Sequence, residues 1–384
     1  MGIIDHEVII IGGGPAGSSA AMNLANYGFD VCLVEKKIFP RETLCGEFLS
    51  GEVFENFKVL GIDKQFLSLK PNFIKSFKFF FENGKSFSGH FDFKSFGIKR
   101  SVLDSFLLEN AKIKGVKVIQ PAEVKEIYRE GEIFNLRIKE PDRTTALNTS
   151  ILIAAYGKQN SLDIKLNRPF SRVKSGFNGI KYHVSKKYFN SIEKDEIRIY
   201  TGKNIYCGVN YVDDETVTLC FLFKRTETGY SYRQHLMDLA GSNNDFRKII
   251  NKEFFDSINY QKVYGTGNIF FGRRRKTENG IIMIGDAAGV ISPFSGDGIG
   301  MAFDSAKLAA EILIGLKKKN ENSKKASTLY EINWRKLFGK RILISKIIQE
   351  FLLKSSYKKL ITPAMDLFNL FPSFSSFIVN KTRT

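Results

Sequence analysis

The sequence predicts an α/β fold, α+β overall, in which a parallel-sheet lobe is assembled from separated stretches of chain around a strand-rich second lobe. Three observations predict it. An apolar run near the N-terminus ends in spaced glycines, a second apolar run ends in Gly285-Asp286 some 270 residues later, and the strand-like runs between residues 165 and 265 carry no phosphate motif.

The first run is Val8-Ile9-Ile10-Ile11, followed by Gly12-Gly13-Gly14-Pro15-Ala16-Gly17 and the helix-forming Ser18 to Ala25. A buried parallel strand should turn tightly here into a helix whose free N–H groups face a pyrophosphate. Gly12 permits the turn, Gly14 lets backbone approach the phosphates, and Gly17 lets helix and strand pack closely. The next apolar run, Val31-Cys32-Leu33-Val34, ends in Glu35, placed to accept hydrogen bonds from an adenosine ribose, with Lys36 beside it. This half predicts a Rossmann-like dinucleotide site and leaves NAD and FAD open.

The second run separates them. Gly280 to Ile284 reads as a strand, Gly285-Asp286 ends it, and Pro293 leads to Gly296-Asp297-Gly298-Ile299-Gly300 at the start of a helix. A carboxylate at a strand end can accept hydrogen bonds from ribitol hydroxyls. The helix start can present N–H groups to electron-rich flavin edges and favour negative charge on a reduced flavin. FAD is therefore the expected cofactor.

With these residues in view, the chain resembles the FAD-dependent monooxygenase superfamily, which also contains geranylgeranyl reductases and flavin halogenases. The resemblance covers roughly residues 5 to 310. It rests on the first glycine motif, on Gly285-Asp286-Ala287-Ala288 followed by Pro293 and the glycines, and on Arg100-Ser101-Val102-Leu103-Asp104. It implies that Arg100 contacts the FAD phosphates or adenosine. It also implies that the FAD-binding domain is discontinuous (1–70, 99–160 and 266–318), with an antiparallel-sheet substrate domain (71–98 and 161–265) and a C-terminal helical region (319–384).

The segments between carry signals of their own. Glu82-Asn83-Gly84-Lys85 marks a hairpin within Phe73 to Phe91, Ala122 to Lys139 reads as a second antiparallel pair, and Glu196–Tyr200, Tyr206–Tyr211 and Thr216–Phe223 read as strands. Helices are expected over 101–114 and 301–318, then a polar linker from Lys317 to Asn322. In the tail, Leu343, Ile344, Ile347, Ile348, Phe351 and Leu352 recur at helical spacing among lysines, and Pro363 and Pro372 punctuate a phenylalanine-rich end.

The chain of 384 residues is long enough for two lobes. Cys32, Cys45, Cys207 and Cys220 have no CxxC spacing, so no metal site and no disulfide framework is expected, and a reducing cytoplasm is the simple reading. The N-terminal strand runs directly into glycines and lacks a basic leader, which argues against a signal peptide. Net charge is +18, but residues 311 to 384 hold 15 Lys and Arg against 5 Asp and Glu, a local excess of +10. No nucleic-acid motif accompanies it, so nucleic acid is not the expected partner. The tail reads as an amphipathic helix covering the core or the substrate entrance, and its basic, aromatic character also fits peripheral contact with the inner membrane surface or with a carrier protein.

The chemistry should be chosen by Arg41-Glu42-Thr43-Leu44-Cys45-Gly46-Glu47-Phe48-Leu49-Ser50. This run is similar to the Cys-Gly loop of geranylgeranyl reductases, which implies a place beside the flavin. Arg41 is expected on a phosphate, Cys45 at the cofactor, and Cys45 and Glu47 are the candidate catalytic groups. Two departures stand out. Tyr156 occupies the place of the aspartate in the hydroxylases' Asp-Gly motif, and Tyr206-Cys207-Gly208-Val209-Asn210-Tyr211 lacks the Trp, Phe and Pro of the reductase pattern. Trp334, the sole tryptophan, lies outside the halogenase Trp-x-Trp pattern. No second dinucleotide motif follows, so NAD(P)H is expected as a transient reductant, or another electron donor takes its place. Three functions stay open: a monooxygenase acting on a small apolar or aromatic substrate, a double-bond reductase of geranylgeranyl-reductase type, and an electron-carrying flavoprotein without its own substrate.

Overall fold

The structure, a computed structural model, describes residues 4–353 apart from 225–230, 273 and 323. β1 (His6–Ile11) enters α1 (Pro15–Ala25), and β2 (Val31–Val34) follows. The chain then passes β3 (Phe48–Leu49), α2 (Gly51–Leu60) and α3 (Asp63–Ser68) before the hairpin of β4 (Asn72–Phe80) and β5 (Ser86–Gly97). Next come α4 (Arg100–Ile113), β6 (Lys117–Ile119), the hairpin of β7 (Glu123–Glu130) and β8 (Ile133–Lys139), β9 (Thr144–Ala154) and the short α5 (Ser161–Lys165). Strands β10 (Phe177–Ser185), β11 (Glu196–Gly202), β12 (Ile205–Tyr211) and β13 (Thr216–Lys224) precede helices α6 (Tyr232–Ser242), α7 (Asn244–Ile249) and α8 (Lys252–Ser257). β14 (Val263–Thr266), β15 (Thr277–Glu278), β16 (Ile281–Met283), α9 (Gly298–Lys318) and α10 (Lys324–Leu353) close the described chain.

Two sheets organise these elements. The first runs β15-β16-β9-β1-β2-β6, with β7 and β8 extending from β9. β1 is parallel to both neighbours, with Ile9 opposite Cys32 on one side and Leu152 on the other. Helices on its faces bury it on both, which is why Val8 to Ile11 reads as a continuous apolar run and does not alternate. The second sheet runs β14-β10-β13-β12-β11-β4-β5-β3 and is antiparallel except where β11 meets β4.

Alternation divides the second sheet's residues between two environments. Tyr200, Cys207, Val209 and Phe221 pack under α6 to α8 with Leu239, Phe246 and Phe254. Ile199, Tyr206 and Leu222 point the other way and join Phe77, Phe79 and Leu44 in a separate cluster. That second cluster forms the inner wall of the cavity described below.

The hairpin, the antiparallel pair and the three predicted strands are all present. Two features differ from the sequence expectation. Phe48 and Leu49, read as part of the cofactor lobe, pair with β5 in the second sheet. Helices α6 to α8 cover a face that sequence patterning described only as strand-rich. The tail forms a core-covering helix as expected: it begins at Lys324, and Tyr330, Trp334 and Phe338 join it to the first lobe's core. Residues 354–384, with Pro363, Pro372 and the terminal phenylalanines, lie outside the described residues, as do the side chains of Phe351 and Leu352. No described helix is long and apolar enough to cross a membrane.

Within the second sheet the chain packs tightly at Gly97, the end of β5, where an added Cβ would lie 2.0 Å from the carbonyl oxygen of Tyr211 at the end of β12. Gly97→Ala should therefore lower stability by about 1–3 kcal/mol through overpacking against backbone, measured as a fall in the denaturant midpoint with an unchanged slope.

Candidate active site

Both glycine motifs line one cavity of about 780 Å³, a size usual for ligand pockets. Gly12 has φ +106°, and a Cβ there would sit 2.6 Å from the Ala155 carbonyl oxygen; at Gly17 it would lie 1.8 Å from that of Gly12. Gly14 is different. Its nearest neighbours would be the guanidinium nitrogens of Arg41 and Arg100, at 3.8 and 3.9 Å, so the helix N-terminus opens toward two cations. Both share one buried carboxylate: Arg100 grips Asp104 through two bonds of 2.8 and 2.9 Å, and Arg41 approaches it at 3.1 Å. Two guanidiniums on one carboxylate leave surplus positive charge at the N-terminus of α1, where Pro15 and Ala16 begin the helix. A diphosphate fits that place.

Glu35 is buried, accepting the Gly13 N–H at 2.7 Å and the Lys37 N–H at 2.8 Å; with Lys36 it borders the cavity. Distant residues complete the groove. Gly285, at φ +58°, approaches Ala16 so closely that a Cβ would lie 2.9 Å from the alanine methyl. Asp286 faces Lys158 at 3.4 Å, and Pro293, Gly298 and Ile299 line the entry to α9. At Gly300 a Cβ would meet the Asp297 carboxylate at 2.6 Å. Asp297 in turn accepts a 2.5 Å bond from Arg341 of α10, which also reaches Glu52 at 3.6 Å. Lys158 and Arg341 belong to no motif, and only folding brings them here. Glycine cradle, paired guanidiniums, ribose-side carboxylate and Asp286 together fit an FAD, which supplies two-electron redox chemistry when bound.

The loop carrying Cys45 is held by Glu47. This residue has φ +59°, uncommon for a side-chain-bearing residue, and is fully buried. Its carboxylate accepts bonds from the Arg100 N–H (2.8 Å), Lys181 Nζ (2.7 Å), His183 Nε2 (2.6 Å) and Thr218 Oγ1 (2.5 Å). Burial alone would raise its pKa, but the His183 bond and the Lys181 charge outweigh it and hold the carboxyl down at about 2. Both oxygens of this carboxylate are occupied, so that Glu47, one of the two groups singled out from sequence, ties the Cys45 loop to α4, β10 and β13. Glu42, Glu47 and His183 have the donor atoms of a metal cluster, but Lys181 sits 2.6 and 2.7 Å from the two carboxylates and takes the cation's place. Cys45 borders the cavity, and its sulfur accepts the Glu47 N–H at 3.3 Å.

Beyond the cofactor groove the cavity becomes a hydrocarbon chamber. Phe77, Phe79, Phe87, Phe91, Tyr206 and Phe294 line it, with Phe79 and Phe87 stacked at 4.7 Å. Gly208 leaves open space over the sheet, where a Cβ would touch nothing within 4 Å. Ile344, Ile347 and Ile348 of α10 form the outer wall. Tyr156 borders the cavity, but its hydroxyl donates to Asp163 at 2.8 Å and accepts from Arg168 at 3.2 Å. The position an aspartate would hold in the hydroxylase motif is thus tied into a buried network.

Comparison with known proteins agrees with this cofactor site. A family model described as FAD binding domain matches residues 5–325, and the chain belongs to that family. It is an FAD-dependent oxidoreductase. Digeranylgeranylglycerophospholipid reductase 2 of Methanothermobacter thermautotrophicus is 23% identical, over 88% of this chain and 85% of its own. The 1H-pyrrole-2-carbonyl-[peptidyl-carrier protein] chlorinase of Pseudomonas fluorescens is 24% identical, over 85% of this chain and 80% of its own. Among solved structures, a myxobacterial chondrochloren halogenase superposes with TM-score 0.76 at 18% identity, covering 88% of this chain and 81% of that one.

Two outcomes follow for variants. Gly14→Ala should leave the melting temperature of the apoprotein within about a degree, because nothing in the fold crowds that site, yet weaken FAD at least about tenfold by filling phosphate space, read by flavin fluorescence titration. Glu47→Gln should cost about 3 kcal/mol at pH 7. Because the folded pKa is depressed, wild-type stability from this group is present above pH 4.5 and lost as pH falls toward 2. Urea midpoints of the two proteins should converge across that window.

Proposed function

We propose that the chain reduces carbon–carbon double bonds in an extended apolar substrate, with electrons reaching its FAD from NAD(P)H or another donor. The observation that carries this reading is the chamber: a phenylalanine-walled space continuous with the cofactor groove, with a thiol at the junction. Reduction of a double bond needs a hydride equivalent at one carbon and a proton at the other. A bound, reduced FAD would supply the first. Cys45, at the cavity edge, is the group placed to hold the proton at its sulfur, while the phenylalanines orient the chain and exclude water.

Several archaeal relatives named digeranylgeranylglycerophospholipid reductase support the reading. The tied hydroxyl of Tyr156 weighs against the usual hydroxylase route to NADPH. Monooxygenation of an apolar or aromatic substrate is the second reading, favoured by the same dry chamber and by the halogenase-like fold. Substrate would enter beside α10, where Leu343, Ile344 and Ile347 are about half exposed and Lys340 and Lys346 flank them. Contact with a membrane surface or a carrier protein at this mouth belongs to the proposal.

Turnover of a polyunsaturated lipid under reducing, anaerobic conditions should give a product two hydrogens heavier. Incorporation of oxygen from ¹⁸O₂, with no anaerobic product, would replace this reading with the second. Cys45→Ser should slow the anaerobic reaction by about 10²–10⁴-fold if the thiol is the proton donor, with FAD content unchanged.

A further inference from the structure

The turn that carries Asp286 is held from behind by cations. Arg274 donates to the Asp286 carbonyl at 2.9 Å, Arg168 to the Ala287 carbonyl at 2.9 Å, and Lys276 to the Ala288 carbonyl at 2.7 Å. Three consecutive carbonyls each receive one cation. All three cationic residues are buried, at 5%, 1% and 8% exposure. Gly285 and Asp286 line the cavity, whereas Ala287 and Ala288 are fully buried on the clamp's side.

Counter-charge is scarce. Arg168 pairs with Asp163 at 2.9 Å, and Asp286 is engaged by Lys158. Arg274 and Lys276 meet aromatic faces as well as carbonyls: Arg274 lies 3.9 Å from the centre of Phe170 and Lys276 3.6 Å from that of Trp334. Glu278 is buried as well, but Arg275 takes it, so the three buried cations have Asp163 as their one paired carboxylate, in a medium where charge is poorly screened. A turn could satisfy its carbonyls with neutral donors. Using cations adds a field to the hydrogen bonds.

We propose that Arg168, Arg274 and Lys276 are positioning residues that fix the Asp286–Ala288 turn and place net positive charge behind it, so that the site binds reduced, anionic FAD more tightly than oxidised FAD. The inference rests on FAD binding alone and holds for either reaction considered above. Lys276 is the adjustable member. Burial, then repulsion from Arg168, Arg274 and Arg335, pushes its pKa down to about 7, against a small opposing pull from Glu331 of α10. Arg275 and Glu278 on its own segment pair with each other at 2.9 Å. The clamp is thus fully charged below neutrality and loses one charge as pH rises through 7.

Trp334 is the only tryptophan in the chain, so its emission reports the ammonium above it without any turnover. In the apoprotein, emission should change in a single transition near pH 7, and in the holoprotein that transition should move upward when the flavin is reduced. Lys276→Met should abolish it. At pH 6 the same variant should lose about tenfold of the preference for reduced over oxidised FAD, a fall of about 30 mV for a two-electron couple. Lys276→Arg should keep the preference at pH 6 and hold it at pH 8, where the wild-type excess has faded. Unchanged potentials in Lys276→Met at pH 6, with FAD bound, would overturn the proposal. So would a wild-type emission profile that is flat from pH 5.5 to 8.5, or one that flavin reduction leaves in place, and these two measurements need no variant to fold.

Discussion

A single buried carboxylate, Glu47, joins the two halves of this molecule. Its four donors come from α4 on the cofactor side and from β10 and β13 of the second sheet. Removing any one partner would leave charge or polarity stranded without water, which is why such clusters persist only when nearly complete. The left-handed backbone at Glu47 is tolerated because these bonds over-determine it. Through this one residue the Cys45 loop, Arg100 and the second sheet are kept in fixed relation.

Around that junction the site divides into two electrostatic regions. The cofactor groove is cationic, with Arg41 and Arg100 at one end, Lys158 beside Asp286, and the Arg168–Arg274–Lys276 clamp behind the second turn. The chamber beyond it is hydrocarbon. Desolvation cost favours an anionic cofactor at the first end of this cavity and, on the proposed function, an apolar substrate at the other. Helix α10 closes both regions: Trp334 packs over Lys276, Arg341 ties Asp297 at the start of α9, and Ile344 and Ile347 reach the chamber wall. A segment that reads as a tail is structurally part of the site.

Much of this was legible in the chain. The cofactor motifs are contiguous in sequence because their work is done by backbone: a tight turn, a close approach and a helix start need glycine at set spacing, and set spacing survives without knowledge of the fold. Long alternating runs likewise marked β4, β11, β12 and β13. Other features left no local mark. Lys158, Arg341 and Lys276 are ordinary basic residues in a basic sequence, and Glu47 sits in a motif that suggested reactivity. Its neighbours Lys181, His183 and Thr218 lie more than 130 residues away, and only their convergence turns a candidate acid into a fixed anion.

The sequence by itself determined the cofactor, the parallel sheet that presents it and the interruption of that sheet by a second lobe, because these depend on periodicity and on where glycine is obligatory. Tertiary structure alone decided which charges are paired, that the thiols of Cys45 and Cys220 border the cavity, and that phenylalanines scattered from Phe77 to Phe294 form one wall. The physical reason is that burial and electrostatics are properties of neighbours in space. Two motifs 270 residues apart become one site only when Gly285 packs against Ala16.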